Sequence, residues 1–307
     1  MSGLIAGILP VFVLIALGYG LRKSDFLPDN AWRPIEKLSI NWLYPGFLVP
    51  AIWHADLSGS SAPAAAGAAV TAILIVSAGT LIAKPFITID GPAYTSVFQG
   101  VIRWNSFVFL PVIQSVYGDE GTALAAVMIA CIIPVTNIAC VAVLARWGTD
   151  QRGVRPLALV KAMLANPILM ACFLGLGLNF ANVPHLPGIS ETLDLLGAGA
   201  LPLGLIVAGA GLSFAEVARR KWTIGIVSVV KLGVMPALMW GLCRLFGGDE
   251  MAQALALLCG AAPGAAASYM LARQMGGDAP LMAGIIALTT VGSAFMIPIL
   301  LAVFHLG

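Results

Sequence analysis

Charged and polar side chains interrupt a long apolar stretch of the chain at residues 94–117. Arg103, Asn105 and Ser106 lie near its middle, and Pro111 follows six residues after the asparagine. The stretch is long enough to cross a bilayer, which takes about 20 apolar residues. A guanidinium at that depth costs roughly 2.5–3.5 kcal/mol on insertion scales, so an arginine there usually has a function.

These residue types favour a substrate site on an interrupted helix. Proline removes a backbone donor and clashes with the carbonyl four residues earlier, so the helix should break or kink near Pro111. Interrupted backbone is tolerated in a membrane only where protein or a polar cavity covers it. The planar guanidinium of Arg103 suits a carboxylate, and the Asn105 amide can donate to the same ligand. A kinked helix with a snorkelling arginine is the alternative.

The composition predicts an integral membrane protein. The chain has 307 residues, of which 60% are hydrophobic and 10% charged, and its mean hydropathy is +0.96. Soluble domains carry about 25% charged residues. The net charge of +2 gives no reason to expect a nucleic-acid partner.

The sequence lacks the common enzymatic motifs. It contains no GxSxG, no Walker glycine loop and no HExxH. The three histidines are far apart, and the five cysteines fall in apolar stretches without a CxxC pair. We therefore expect no metal site, no resident cofactor and no enzymatic activity.

Ten apolar segments follow one another along the chain, and they predict ten transmembrane helices in an all-α protein. They lie near 4–21, 35–53, 63–83, 94–117, 121–145, 161–180, 192–212, 223–243, 251–272 and 281–304. The connections between them are short, which leaves no room for a soluble domain.

The basic residues predict the orientation of these helices. Thirteen of the 16 lie on every second connection, after helices one, three, five, seven and nine. By the positive-inside rule those connections are cytoplasmic, and both termini are extracytoplasmic. We therefore expect a multi-pass protein of the cell (inner) membrane.

Five helices in residues 1–147 and five in 148–307 predict an inverted repeat, the signature of secondary transporters. An odd number of helices in each half starts the second half from the opposite side of the membrane. The halves share weak echoes, namely Leu27-Pro28 with Leu186-Pro187, and Tyr117-Gly118-Asp119 with Gly276-Gly277-Asp278.

Helix nine is predicted to be interrupted at the position that matches helix four. Pro263 and Gly264 open a run of small residues that ends at Ser268, before Tyr269. Such residues permit unwinding, although tight helix packing would use them equally well. Where two interrupted helices cross, free amides and helix N-termini favour anions. The predicted substrate-binding residues are therefore Arg103, Asn105, Ser106, Pro111, Pro263, Gly264, Ser268 and Tyr269.

The distribution of charge within the predicted helices indicates an anionic ligand. All 14 acidic residues lie in connections or near helix ends, whereas Arg103 and Lys231 lie within helices four and eight. Coupling to sodium or to protons stays open. Gln99, Gln114 and Asn137 could offer oxygen atoms to sodium, and Lys231 could carry a proton.

The sequence resembles the auxin efflux carrier family in its short bacterial form, over essentially the full length. The residues that carry the resemblance are Asn105 within RWNSFVFLP, Asn166-Pro167, ALPLGLIVAGAGL at 200–212, and Pro263 with YMLARQMGG at 269–277. Two positions depart from the family pattern. The glycine of the Gly-x-Pro triplet after Asn105 is absent, with Pro111 one residue early, and Ser268 stands where some relatives have a second proline.

The resemblance implies a ten-helix fold in which broken helices four and nine cross. It also implies a scaffold part (helices one, two, six and seven) and a mobile transport part (helices three to five and eight to ten). Family members move small organic anions, and the bacterial ones are often tied to malonate, malate or similar dicarboxylates. The implied mechanism is elevator-like alternating access. A homodimer through the scaffold helices would be compatible with this arrangement.

Two other functions are open at this point. A sodium-coupled carrier of bulkier anions, like the bile-acid symporters, shares the crossed-helix plan. An anion sensor would bind its ligand without moving it, although no connection is long enough to hold an output element. In each case the expected partners are an organic anion and the lipid bilayer.

Overall fold

The protein is described by a computed structural model that covers residues 2–55, 57, 61–149, 161 and 164–304. Within those ranges every regular element is a helix, and no β-strand occurs. The prediction of an all-α protein is confirmed. In hydrocarbon each backbone N–H and C=O must bond within the protein, and a helix satisfies both from its own chain.

The first half of the chain forms six α-helices up to residue 147. They are α1 (Ser2–Lys23), α2 (Asp29–Leu38), α3 (Tyr44–Trp53), α4 (Ala62–Ala83), α5 (Gly91–Ile102) and α6 (Ser106–Trp147). A π-helical segment, Ser39–Leu43, joins α2 to α3, and a 3₁₀ turn, Lys84–Phe86, follows α4.

The helices after residue 164 are shorter on average. They are α7 (Pro167–Phe180), α8 (Ile189–Ala198), α9 (Ala200–Ala210), α10 (Lys221–Val229), α11 (Met235–Leu245), α12 (Glu250–Ala261), α13 (Ala266–Met275) and α14 (Ala279–Val303). A second π-helical segment, Val230–Val234, joins α10 to α11.

Aspartate side chains start three of these helices. Asp90, Asp249 and Asp278 each accept a hydrogen bond from the backbone N–H three residues later, at 2.8–3.0 Å. A carboxylate in this position satisfies a free amide and complements the positive end of the helix dipole. Three of the acidic residues near helix ends therefore cap a helix N-terminus.

Five helical stretches of the described chain are long and apolar enough to cross a membrane. They are Ala62–Phe86, Gly91–Trp147, Ile189–Ala210, Lys221–Leu245 and Ala279–Val303. The bent pair α12 and α13 makes a sixth if it is taken as one span. Gly91–Trp147 contains two of the predicted segments, 94–117 and 121–145. The crossing count of ten and the inverted repeat remain predictions.

Both of the helices predicted to be interrupted have an interruption. Residues 103–105 are not helical and separate α5 from α6, and residues 262–265 separate α12 from α13 with a bend of 48°. The first interruption precedes Pro111, which lies within α6. The break was expected near the proline, but it occurs at the charged and polar residues before it.

Helix α6 also changes direction at Gly118. This residue has φ 60° and ψ −150°, a backbone conformation that residues with a Cβ atom rarely adopt. The sequence Tyr117-Gly118-Asp119 was predicted to end one segment, and the turn lies at that position.

Close backbone packing joins α1 to α9. A Cβ atom at Gly18 would lie 1.9 Å from the Ile206 carbonyl oxygen, and one at Gly209 would lie 1.9 Å from that of Ile15. The two glycines thus let each helix contact the backbone of the other, as small residues do in membrane interiors. Elsewhere α3 packs on α7 and α8, and α11 packs on α4 and α12. The scaffold and transport parts remain a prediction.

Gly18→Ala should lower the thermal unfolding temperature, because the new methyl group would push α9 away from α1. Overpacking of this kind costs about 1–3 kcal/mol, which exceeds the gain of roughly 0.5–1 kcal/mol that alanine brings to a helix interior. The matched control is Gly20→Ala on the same helix, where a Cβ atom would meet nothing within 4 Å. Thermal unfolding of both purified variants in detergent tests the prediction. Equal stability of the two would contradict it.

Candidate functional site

The two interruptions border one cavity of about 230 Å³. Residues 103–107 line it from the first interruption, and residues 265–267 line it from the second. The remaining lining residues come from α2 and its π-helical extension, from the middle of α6 and from the start of α7. They are Glu36, Ile40, Ile133, Thr136, Asn137, Asn166, Pro167 and Ile168. We call this space the Arg103 cavity.

Arg103 is the cationic residue that lines this cavity, and its guanidinium has unused hydrogen-bonding capacity. Its Nη1 atom is buried and has no hydrogen-bond partner among the described residues. Across the described ranges, no carboxylate lies within ion-pair distance of Arg103. The thiol of Cys140 on α6 lies beside the guanidinium. A partly buried guanidinium without an anionic partner is electrostatically prepared to bind an anion.

Three helix N-termini converge on the same cavity. The first residues of α6, α7 and α13 are among its lining residues, and each of these helices has ten or more residues. The N-terminus of a helix carries about half a positive charge and presents amide groups without a partner in the helix. The partial positive charges of these N-termini add to the charge of Arg103, so together they favour a negative charge in the cavity.

Side chains cap two of these three termini. Asn105 Oδ1 accepts from the Phe107 amide at 2.9 Å. Asn166 Oδ1 accepts from the amides of Ile168 and Leu169 at 3.1 Å. The third terminus begins after Ala265, which has no side chain that could cap it. The first amides of α13 therefore lie at the cavity without a capping group and can donate to a ligand.

The other predicted residues of helix nine surround the cavity without lining it. Pro263 and Gly264 form the interruption itself, and the Gly264 amide donates to Thr289 Oγ1 at 3.0 Å. Ser268 is fully buried, and its hydroxyl has no partner within the described ranges. Tyr269 lines a neighbouring cavity. Pro111, on α6, is buried within the helix. Of the predicted binding residues, the cavity thus brings together Arg103, Asn105 and Ser106.

The four predicted coupling residues lie in different surroundings. Asn137 lines the Arg103 cavity. Gln99 and Lys231 are fully buried, and their side-chain polar atoms have no partner in the part of the chain that the structure describes. Lys231 lies beside Cys259 instead of at the cavity. Gln114 donates to Asp119 and accepts from Thr122, which holds it at the edge of a different cavity.

Gln114 belongs to a large cavity of about 1080 Å³ that has an acidic lining. Asp119, Glu120, Asp194 and Asp249 line it, together with His54. Carboxylates in such numbers repel anions and raise the local concentration of cations. This acidic cavity is therefore a poor site for an anion.

Sequence reasoning missed Glu36, Thr136 and Asn166 as lining residues of the Arg103 cavity. Asn166 had a usable signal, because asparagine before proline at a helix start is typical of an N-cap. Glu36 was counted among acidic residues near helix ends. Its position four residues before Ile40 indicates a shared helix face, but not what that face meets.

Comparison with known proteins connects the chain to transporters. A model of the Sodium Bile acid symporter family matches residues 201–306, about a third of the chain. An uncharacterized transporter from Methanothermobacter thermautotrophicus is 23% identical over 301 residues, which cover 95% of each chain. The segment that the family model matches includes the second interruption and Lys231, but Arg103 lies before it.

The predicted resemblance to the auxin efflux carriers is wrong. The family model that matches the chain is that of the Sodium Bile acid symporter family. The motifs that suggested the other family are four short segments, and the residues that gave them weight are Asn, Pro, Gly and Ala. Such residues occur wherever membrane helices are interrupted or packed closely.

Asn105→Ala should destabilise the protein by about 1 kcal/mol, because the Phe107 amide loses its capping oxygen. Asn105→Asp should keep most of the stability, since aspartate caps helices as well as asparagine does. Thermal unfolding in detergent measures both. Asn41→Ala is the control, because Asn41 is exposed and donates only to the Lys37 carbonyl. A loss at Asn105→Ala no larger than at Asn41→Ala would contradict the capping role.

Proposed function

We propose that the protein is a secondary carrier of organic anions and that the Arg103 cavity is its substrate site. The observation that carries this proposal is that a guanidinium without an anionic partner among the described residues lies at one cavity with three helix N-termini, two of which belong to the helix interruptions. Interrupted helices that point their N-termini at an anionic group are a recurrent design of secondary transporters. An enzymatic role is not proposed.

The comparisons support a carrier over a sensor. The family model that matches is named for sodium bile acid symporters, and the Methanothermobacter relative is named a transporter. We infer from these names that this chain moves an anion across the cell membrane in symport with a cation. A sensor that binds the anion without moving it would fail to accumulate substrate in proteoliposomes.

Two classes of anion are candidates for the substrate. The family match favours a bulky amphipathic anion of the bile-acid type. The volume of the Arg103 cavity, about 230 Å³, favours a small carboxylate such as malonate or malate, because pockets for drug-sized ligands occupy roughly 300–1,000 Å³. Uptake of labelled taurocholate and labelled malonate by the same proteoliposomes separates the two.

Cation coupling has a second supporting observation in the acidic cavity. Its four carboxylates would enrich sodium or protons at one face of the protein. Imposed sodium and pH gradients, applied one at a time, identify the driving ion. Uptake that responds to neither gradient would make the protein a uniporter.

Alternating access is the proposed mechanism. Ten crossings arranged as two inverted halves would let one part of the protein move against the other around the interruptions. In this scheme the charged substrate neutralises Arg103 during the crossing, so the loaded site meets a lower electrostatic barrier than the empty one.

Replacing Arg103 should weaken anion binding. Arg103→Lys keeps the charge but loses the planar fork, and Arg103→Gln loses both. A charge-assisted hydrogen bond is worth about 1.5–3 kcal/mol, or roughly 10- to 150-fold in affinity. Binding of whichever probe the wild type takes up, malonate or taurocholate, is measured on purified variants. Lys231→Met is the control, because this buried cation lies away from the cavity. Unchanged affinity in both Arg103 variants would make the arginine structural.

The proposed orientation has its own test. In a Cys131→Ala background, Cys at Arg219 should react with an impermeant maleimide only after permeabilisation, and Cys at Asn182 should react in intact cells. Both positions are exposed, whereas Cys140, Cys172, Cys243 and Cys259 are buried. The connection 146–161 would report the same side, but most of it lies outside the described residues. Labelling of Arg219→Cys in intact cells would reverse the predicted topology.

A further inference from the structure

Glu36 brings a carboxylate into a cavity that otherwise favours anions. It lies on α2, is partly buried and lines the Arg103 cavity with Ile40, one turn further along. Within the described ranges its carboxylate makes no hydrogen bond and no ion pair, with Arg103 or with any other residue. The charge that acts on it most strongly is Arg33 on the same helix. A bound anion would therefore share the cavity with a second negative charge.

Glu36 also connects the Arg103 cavity to a neighbouring one. It and Ala266 line both spaces, and the second space has a volume of about 500 Å³. We call this second space the basic cavity after three arginines that line it, namely Arg22, Arg33 and Arg273. Three carboxylates, those of Asp29, Glu36 and Glu216, line it as well. An anion that moves between the two cavities passes the Glu36 carboxylate.

We propose that Glu36 couples anion binding to proton uptake, which rests on the proposed function of the Arg103 cavity. Two negative charges in one small, partly desolvated space repel each other. A bound anion therefore raises the affinity of Glu36 for a proton, and by linkage a protonated Glu36 raises the affinity for the anion by the same factor. The anion and the proton bind together.

The groups around Glu36 make it the titrating partner. On its own helix Arg33 is a permanent charge, and Asp29 forms an ion pair with Arg22 across the basic cavity at 3.1 Å. Helix α9, which packs on α2, has no titratable side chain. The charged or titratable residues that reach the two cavities from other elements are Arg22, Arg103, Arg273, Tyr269 and Glu216. Glu216 forms an ion pair with Arg219 at 3.1 Å. Among the described residues, the lining carboxylate without a partner is therefore that of Glu36.

Glu36→Gln tests the coupling because glutamine keeps the shape but cannot titrate. The probes are pyruvate, oxalate and taurocholate, which stay fully ionised between about pH 6 and about pH 8, so a pH effect comes from the protein. The wild type should bind its preferred probe on the order of tenfold more tightly at the lower pH. Glu36→Gln should bind at both pH values with the affinity that the wild type shows at the lower one.

A second measurement records the proton directly. When the probe is added to concentrated wild-type protein in weak buffer, the pH of the solution should rise as protons are taken up, and Glu36→Gln should give no such rise. Asp29→Asn, on the same helix but at the basic cavity, should behave like the wild type. Proton uptake that survives in Glu36→Gln, or an affinity that depends on sodium but not on pH, would overturn the inference. Binding of no probe at either pH would overturn the proposed function itself.

Discussion

Hydrocarbon offers no hydrogen bonds to a polypeptide backbone, and this constraint gives the two helix interruptions their importance. Where α5 and α12 end, amides and carbonyls lose their partners in the helix, and each must find another within the protein. Asn105 supplies a capping oxygen at the first interruption, and Thr289 accepts from the Gly264 amide at the second. The start of α13, which no side chain caps, lies at the same cavity as Arg103. The groups proposed to bind the anion are therefore ones that the helix interruptions leave available.

Arg103 and Lys231 show why burial of a charge alone does not identify a site. Both are cationic, and both have nitrogen atoms that lack a partner. Lys231 is fully enclosed beside Cys259, whereas Arg103 borders a cavity that also receives three helix N-termini. Of these two cations, the one that a ligand in the cavity can reach is Arg103. The Glu36 carboxylate at the same cavity then limits how much negative charge the site holds at once, which makes protonation a natural partner of anion binding.

The all-helical class and both interruptions follow from the sequence, because composition, proline, glycine and a mid-segment arginine act locally. The exact break did not follow. Pro111 was the expected point, yet α6 accommodates it and begins at Ser106, since an Asn cap at residue 105 satisfies the helix start. Glu36 was missed for a different reason. α2 is short and largely polar, with Asp29, Arg33, Glu36 and Lys37 in ten residues. Its sequence does not indicate which of these side chains faces another helix, so the approach of Glu36 to the interruption depends on tertiary packing.

The family match also divides the site physically. Residues 201–306 contain the second interruption with its uncapped helix start, whereas Arg103, Asn105 and Glu36 all precede that range. In the proposed site, the matched segment would contribute backbone amides, which bind any anion of suitable size. The side chains proposed to set charge and proton dependence lie before the range that the family model matches. A shared backbone frame with different side chains at the facing interruption would let related carriers keep the same mechanism while they differ in substrate and coupling ion.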